Sequence, residues 1–446
     1  MKRSLKSIML LTVLTVFLMT LLVPQQTKAN GSLNIQADAA ILVDADTGKI
    51  LYEQNAETPL GVASMTKMMS EYLLFEAIED GRVSWDQTYT VTDQTFKISQ
   101  DLRLSNVPLR VGEAYTIKEL YEAMAIYSAN AATIGIAETI AGTEGEFVRL
   151  MNDKAAEFGL KDTKFVNSTG LNNADLMGFH PEGTEVEEEN IMPAREVAKL
   201  AKILLDEYPE VLETTKIPKL IFREGTDDAT QMDNWNFMLP GLVYEYEGVD
   251  GLKTGTTLFA GHGFTGTATR GDTRLIAVVM KAVDSDGVGS YKARFDATRA
   301  LFDFGFGQFT KQEIVPAGYQ FEEKQSLPVA KGKKDQINIA VKEPLSMMVR
   351  TSEKDQYKPE FVMDESILTD GQLVAAIEKE QVVGSVRLVN SSGTDLGYLD
   401  NESQTAPVIA TESVERANWF SLSLQAIGGF FVTMWDGATD FVKGLF

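Results

Sequence analysis

Apolar residues recur at Met65, Met68, Met69, Tyr72, Leu73, Phe75 and Ala77 until Gly81 offers a stop, a spacing that predicts an amphipathic helix opening beside Ser64. Upstream, residues 39–54 form two apolar runs broken at Asp46-Thr47-Gly48, which predicts a β-hairpin. A short polar link through Pro59 joins hairpin to helix. Residues 82–112 mix β-branched residues and turns without a clear period and are expected to cross the sheet as irregular structure. Thr116 and Glu119 make a capping box ahead of the apolar residues 120–126, and residues 131–141 continue as a small-residue helix ended by Gly142. Further helices are predicted over 146–158, closed by Gly159, and over 193–207, opened by Met192-Pro193. Residues 253–257 and 263–269 read as strands, and Arg270-Gly271-Asp272 turns into the apolar strand 275–280. A last helix is predicted over 291–304.

Strands at both ends with helices between them predict an α+β fold, one mainly antiparallel sheet flanked by helices. From 312 to 409 the chain changes to short Val/Ile/Leu runs separated by turns, such as 381–389 followed by Asn390-Ser391-Ser392-Gly393, which predicts a small all-β domain. The stretch 419–435 carries no charge and is bounded by Trp419 and Trp435, with Phe420, Ile427, Phe430, Phe431 and Met434 between them. Residues 412–446 are therefore expected to form an amphipathic helix at a membrane surface. The scarcity of basic residues there and the Gly428-Gly429 pair favour the competing expectation, a helix packed on the protein itself.

With 446 residues, 44% apolar and 24% charged, the chain is long enough for two globular units and too apolar for disorder. Lys2, Arg3 and Lys6 precede an uncharged run over 7–23 and then Thr27-Lys28-Ala29, which predicts a secretory signal over 1–29; an uncleaved membrane anchor is the alternative. Loss of Lys2, Arg3, Lys6 and Lys28 with that segment moves the net charge from −23 to −27. Such acidity excludes nucleic acid and an anionic lipid surface as electrostatic partners. The absence of cysteine excludes disulfides, cysteine-ligated zinc and a thiol nucleophile. His180, in a Gly/Pro-flanked loop, and His262, in Gly-His-Gly, are expected to be structural. The acidic residues 183–190 lack the spacing of a cation loop and are expected to be a solvated loop, so neither metal nor cofactor is expected.

Ser64 and Lys67 stand three apart on the predicted helix and therefore share a face, placing a hydroxyl beside an amine. The positive end of the helix disfavours an ammonium, which biases Lys67 towards a neutral base, and the free N–H groups there suit an oxyanion. Ser128-Ala129-Asn130 falls at a tight junction between two helices, where the two polar residues either cap the second helix or project into a cleft. Lys253-Thr254-Gly255-Thr256 opens the late β-rich region. S-x-x-K, S-x-N and K-T-G in this order resemble the signature of class A β-lactamases and penicillin-binding proteins. The chain is similar to the penicillin-binding D-alanyl-D-alanine carboxypeptidases of the serine transpeptidase-like family, with Ala129 where β-lactamases usually carry Asp.

The resemblance implies a β-lactamase/transpeptidase-like domain over 30–308, the all-β domain over 312–409 and an anchor helix over 412–446. It implies removal of the terminal D-alanine from peptidoglycan stem peptides at the outer face of the cell membrane, with β-lactams as covalent inhibitors. Ser64 would attack the carbonyl, Lys67 would take its proton, and Ser128 and Asn130 would relay the proton to the leaving amine and orient the substrate. Lys253 would supply positive potential, the Thr254 and Thr256 hydroxyls on either side of Gly255 would hold the terminal carboxylate, and the N–H groups of Ser64 and Thr256 would form the oxyanion hole. Residues 165–171 and Asn234-Trp235-Asn236 resemble stretches around the cleft of this family and are assigned no chemistry. Two other functions share the motifs: a β-lactamase, for which Val186 stands where a Glu four residues before Asn190 would be needed, and a penicillin-sensing or wall-binding module.

Overall fold

Residues 39–43 are fully buried on both faces of β1 (Ala37–Asp44), so the continuous apolar run marks a central strand. The computed structural model describes residues 33–322, 324–350, 352–391, 395–400 and 403–418. The predicted signal segment 1–29 and residues 419–446 of the predicted anchor lie outside these described residues.

β1 pairs on one side with β2 (Ile50–Gln54) and on the other with a strand from late in the chain. That late meander is β3 (Val249–Thr257), β4 (Gly261–Arg270) and β5 (Thr273–Ala282), giving a five-stranded antiparallel sheet in the order β2-β1-β5-β4-β3. The register sets Ile41 against Val278, and Lys253 against Thr265 on β4.

The helices of seven or more residues are α1 (Lys67–Glu79), α2 (Asp93–Ser99), α3 (Ile117–Tyr127), α4 (Asn130–Ala141), α5 (Glu144–Glu157), α6 (Ala194–Glu207) and α7 (Tyr291–Gln308). Ile41, Val43, Ile276 and Val278 share a core with Val197 and Leu200 of α6, whereas Leu42 and Leu275 meet α7 at Gly305. The alternation along the strands thus places α6 and α7 on opposite faces of the sheet. The Thr116/Glu119 capping box forms at the start of α3, with Glu119 Oε2 accepting from Thr116 N at 2.7 Å. Pro193 is the residue before α6 rather than its first turn.

Two expectations about the helices beside this sheet need correction. α2 lies inside the stretch expected to be irregular; its capping box uses Thr95 in place of Glu or Gln, which hid the helix start. α1 is also not amphipathic. Lys67 through Phe75 are all buried, because α1 lies between the sheet and the other helices rather than at the surface.

Directly after α7 the strand Phe309–Val315 pairs with Leu345–Arg350. The rest of this region forms a seven-stranded sheet in the order Tyr357–Met363, Val382–Asn390, Thr405–Ala410, Gln336–Val341, Ser326–Ala330, Gln372–Val374 and Leu368–Thr369. Its core is Leu327, Ile337, Ile339, Val383, Val386 and Val408. The chain is therefore α+β with a following β domain. Residues 412–418, where the anchor helix was expected to begin, are not helical: Val414 is buried in the β domain and bridges to Ile377. Among the described residues no helix is long and apolar enough to cross a membrane.

The β domain meets the first hairpin through its loop 395–400. Leu399 N donates to Gly48 O and Ile50 N to Gly397 O, each at 2.9–3.0 Å. The buried Lys49 ammonium pairs with Asp395 at 2.7 Å and lies over the Tyr357 and Tyr398 rings. A charge-assisted pair flanked by two aromatic faces holds this contact at a point on the hairpin turn.

Candidate active site

Ser64 sits in a 3₁₀ turn, Ala63–Thr66, that leads into α1. Ala63, Met65 and Thr66 are buried, so the turn is anchored on both sides of the half-buried Ser64. β3 passes immediately beneath it. A Cβ on Gly255 would lie 2.5 Å from the Val62 carbonyl oxygen, so only glycine lets the strand approach the nucleophile this closely.

One turn on, Lys67 is fully enclosed, with Nζ 2.9 Å from Ser64 Oγ, 2.9 Å from Asn130 Oδ1 and 2.8 Å from Thr169 O. Asn130 Oδ1 and Thr169 O can only accept hydrogen bonds. A neutral amine that donates its two protons to them therefore turns its lone pair to the Ser64 hydroxyl. Burial, then the neighbouring Lys253, push the Lys67 ammonium well below its ordinary range, while Glu71 opposes the shift. Burial thus leads where the helix end alone had been expected to act.

Thr169 was assigned no role from sequence, and its place depends on a polar knot. Asn167 Oδ1 accepts from Thr169 N, Thr169 Oγ1 and Gly170 N at 3.1, 3.0 and 2.7 Å. Asn190 Oδ1 accepts from Val166 N at 2.6 Å, and its amide donates to Thr66 Oγ1 at 2.9 Å. Glu189 accepts from Thr257 Oγ1 at 2.7 Å. The end of the acidic stretch 183–190 is therefore not solvated: Glu189 and Asn190 are buried braces tying the nucleophile turn to β3. Nothing in the charge run distinguishes them from their exposed neighbours.

Ser128 ends α3 in the left-handed region at φ 61°, and Asn130 begins α4. The side chains cap neither helix: Ala129 is the N-cap residue of α4, and Asn130 spends its side chain on Lys67 and on Ser105 O, the latter at 3.0 Å. Ser128 Oγ is buried and has no hydrogen-bond partner among the described residues.

β3 brings Lys253, Thr254 and Thr256 to the same place. Lys253 is buried, and burial lowers its ammonium to about 8 against the opposing charge of Glu71. Thr256 Oγ1 accepts from Arg294 Nη1 of α7 at 2.9 Å, and the same guanidinium nitrogen donates to the carbonyls of Gly255 and Gly263. Ser64, Ser128, Thr254, Thr256 and Arg294 line one cleft with Ser105, Trp235 and Tyr291.

Trp235 falls in the stretch 234–236 expected around the cleft, whereas Arg294 and Tyr291 were missed from sequence; no short-range pattern links α7 to a strand some forty positions earlier. His262 lies edge-on to Tyr291 at 5.3 Å and opposite Thr256 on β4, outside the Ser64–Lys67 contact. His180 belongs to a different cavity, with Glu144 and Arg149. Among the described residues no group of three or more His, Asp or Glu side chains converges to hold a metal ion. A hydroxyl beside an amine that favours its neutral form, a second free hydroxyl, and buried cations behind two threonines together suit acyl transfer from a substrate that carries a carboxylate.

Residues 25–284 match the D-alanyl-D-alanine carboxypeptidase family, and residues 309–416 match the penicillin-binding protein 5 C-terminal domain. The chain is 31% identical over 429 residues to the D-alanyl-D-alanine carboxypeptidase DacF of Bacillus subtilis, covering 96% of this chain and 98% of the relative. It is similar in structure to the peptidoglycan synthesis regulatory factor PBP3 of Streptococcus pneumoniae, with a TM-score of 0.70 and 35% identity over 86% of this chain and 100% of that one. Penicillin-binding protein D2 of Listeria monocytogenes, solved in an ampicillin-bound form, has a TM-score of 0.50 and 30% identity, covering 62% of this chain and 99% of its own.

Proposed function

The chain belongs to the D-alanyl-D-alanine carboxypeptidase family, and from that premise we propose that Ser64 is the residue acylated during removal of the terminal D-alanine from peptidoglycan stem peptides. The observation that carries the assignment is Lys67 Nζ at 2.9 Å from Ser64 Oγ, enclosed so that its neutral form is favoured. Lys67 takes the hydroxyl proton as Oγ bonds to the carbonyl carbon between the two D-alanines. The N–H groups of Ser64 and Thr256 receive the oxyanion. Ser128, whose hydroxyl has no other partner among the described residues, passes the proton to the departing amine while Asn130 orients the peptide. The C–N bond breaks, the terminal D-alanine leaves, and water hydrolyses the ester.

Thr254 and Thr256 hold the terminal carboxylate of the substrate. Arg294, bonded to Thr256 Oγ1, and Lys253 supply the positive charge behind it. The relative solved in an ampicillin-bound form supports β-lactams as ligands of this chain. Export, and attachment to the outer face of the membrane through the residues that follow 418, are proposed from the sequence alone.

The assignment is tested by mass-spectrometric mapping of the penicillin adduct. Opening of the lactam by Ser64 Oγ leaves one penicilloyl group on the peptide containing Ser64 and none on Ser64→Ala. An adduct on Ser128, or undiminished labelling of Ser64→Ala, overturns it.

A further inference from the structure

Three basic side chains are enclosed in this site: Lys67, Lys253 and Arg294 are 0%, 3% and 1% exposed. Several unbalanced cations in so little space would suppress one another's charge, and the two lysines are asked to do opposite things. Lys67 must be neutral to act as a base, whereas Lys253 must be charged to attract a carboxylate.

A carboxyl lies among them. Glu71 follows Lys67 by one helical turn on α1, is 1% exposed, and its Oε1 has no hydrogen-bond partner among the described residues. The titratable groups that act on it or feel its charge are Lys67 on α1 itself, Lys253 on β3 and Tyr121 on α3. Glu144 makes the contrast: it too is buried, but one of its oxygens accepts from both Ser168 N and Ser168 Oγ, at 3.0 and 2.6 Å, as a carboxyl that braces a loop does. Among the described residues the Glu71 Oε1 braces nothing by hydrogen bonds. Its interaction is with charge.

We propose that Glu71 is a positioning residue for the reaction, its carboxylate offsetting the Lys253 ammonium inside the enclosed site so that Lys253 stays charged beside a Lys67 whose own enclosure keeps it neutral. The inference rests on the roles given to Ser64, Lys67 and Lys253 above. Burial raises the Glu71 carboxyl to about 7, and Lys253 and then Lys67 pull it back down. The sign of the effect follows. Glu71 releases its proton near neutrality, and the carboxylate so formed favours the Lys253 ammonium, which burial lowers to about 8 even against that charge. Without the carboxylate, Lys253 loses its proton at lower pH, so the alkaline side of the activity profile retreats.

The test is the second-order rate of Ser64 acylation by benzylpenicillin between pH 5.5 and pH 9 in the wild-type protein, Glu71→Gln and Glu71→Asp. In Glu71→Gln the alkaline limb is expected to move down by about one pH unit, so that the ratio of wild-type to variant rate grows about tenfold from pH 6 to pH 8.5. Glu71→Asp keeps the carboxylate and is expected to return the limb to its wild-type position, whatever its overall rate. A loss by one constant factor at every pH, or no loss at any pH, overturns the role given to Glu71. So does an alkaline limb in Glu71→Asp that matches Glu71→Gln. Labelling that survives Ser64→Ala contradicts the nucleophile assignment instead, so the two failures are told apart on the same preparations.

Discussion

Lys67→Ala is expected to slow penicillin acylation of Ser64 by about 10³-fold, within the 10²–10⁴ that a positioned general base contributes. The amine is the one basic atom within hydrogen-bonding distance of Ser64 Oγ among the described residues, at 2.9 Å. His262 and His180 stand elsewhere, so no imidazole can take over its part. The substitution also leaves Asn130 Oδ1 and Thr169 O without their donor, at a cost of about 1–3 kcal/mol for each buried acceptor. A fall in melting temperature should therefore accompany the loss of activity. Rates of covalent labelling at equal folded concentration, checked by circular dichroism, separate the two effects. A loss below about tenfold in folded protein would remove Lys67 from the role of base.

Gly170→Ala is expected to cost about 10²-fold in acylation although residue 170 touches no substrate in the proposed mechanism. Gly170 has φ +81°, and a Cβ there would fall 1.8 Å from the Ala63 carbonyl oxygen and 2.3 Å from its carbon. Both are backbone atoms of the nucleophile turn and cannot rotate away. The clash is relieved only by moving the turn that carries Ser64 or the Thr169 carbonyl that accepts from Lys67, and a displacement near 1 Å costs about 10²-fold in a catalytic constellation. Strain in the left-handed region adds to the destabilisation. The labelling rate and a melting curve read both losses; an active variant with an unchanged melting temperature would show that the two segments are not locked together.

The parts of the molecule that could be read from the chain are those whose signal is local. The Thr116/Glu119 box gave the start of α3 because the two partners lie three residues apart, and the apolar run at 39–43 gave a strand because its burial is written in consecutive residues. The three motifs carried the site because each is a run of only three or four consecutive residues, even where, as at Ser128 and Asn130, the run spans the junction of two elements. What stayed hidden depends on distance in sequence. Arg294 reaches Thr256 only through the packing of α7 against the sheet, and Thr169 meets Lys67 through a loop whose hydrogen bonds involve Asn167 and Asn190. Glu71 was invisible for a different reason. In an amphipathic helix it would belong to the solvent face, and only the enclosure of α1 by both the sheet and the other helices turns it inward. The same enclosure is what shifts Lys67, so the property that makes the base work is a property of the packed fold.

The most direct test of the account is to follow both substrates on one preparation: a D-Ala-D-Ala-terminated peptide, with products identified by mass spectrometry, and benzylpenicillin, with release of penicilloate timed. The departed D-alanine leaves the peptidyl ester open to water, whereas the penicilloyl group keeps its amine tethered. Val186 stands four residues before Asn190, where class A β-lactamases carry the glutamate they use for deacylation. The expected result is repeated release of one D-alanine per peptide by the wild-type protein, none by Ser64→Ala, and slow release of penicilloate. Rapid penicillin turnover without D-alanine release, or D-alanine release that persists in Ser64→Ala, would contradict it.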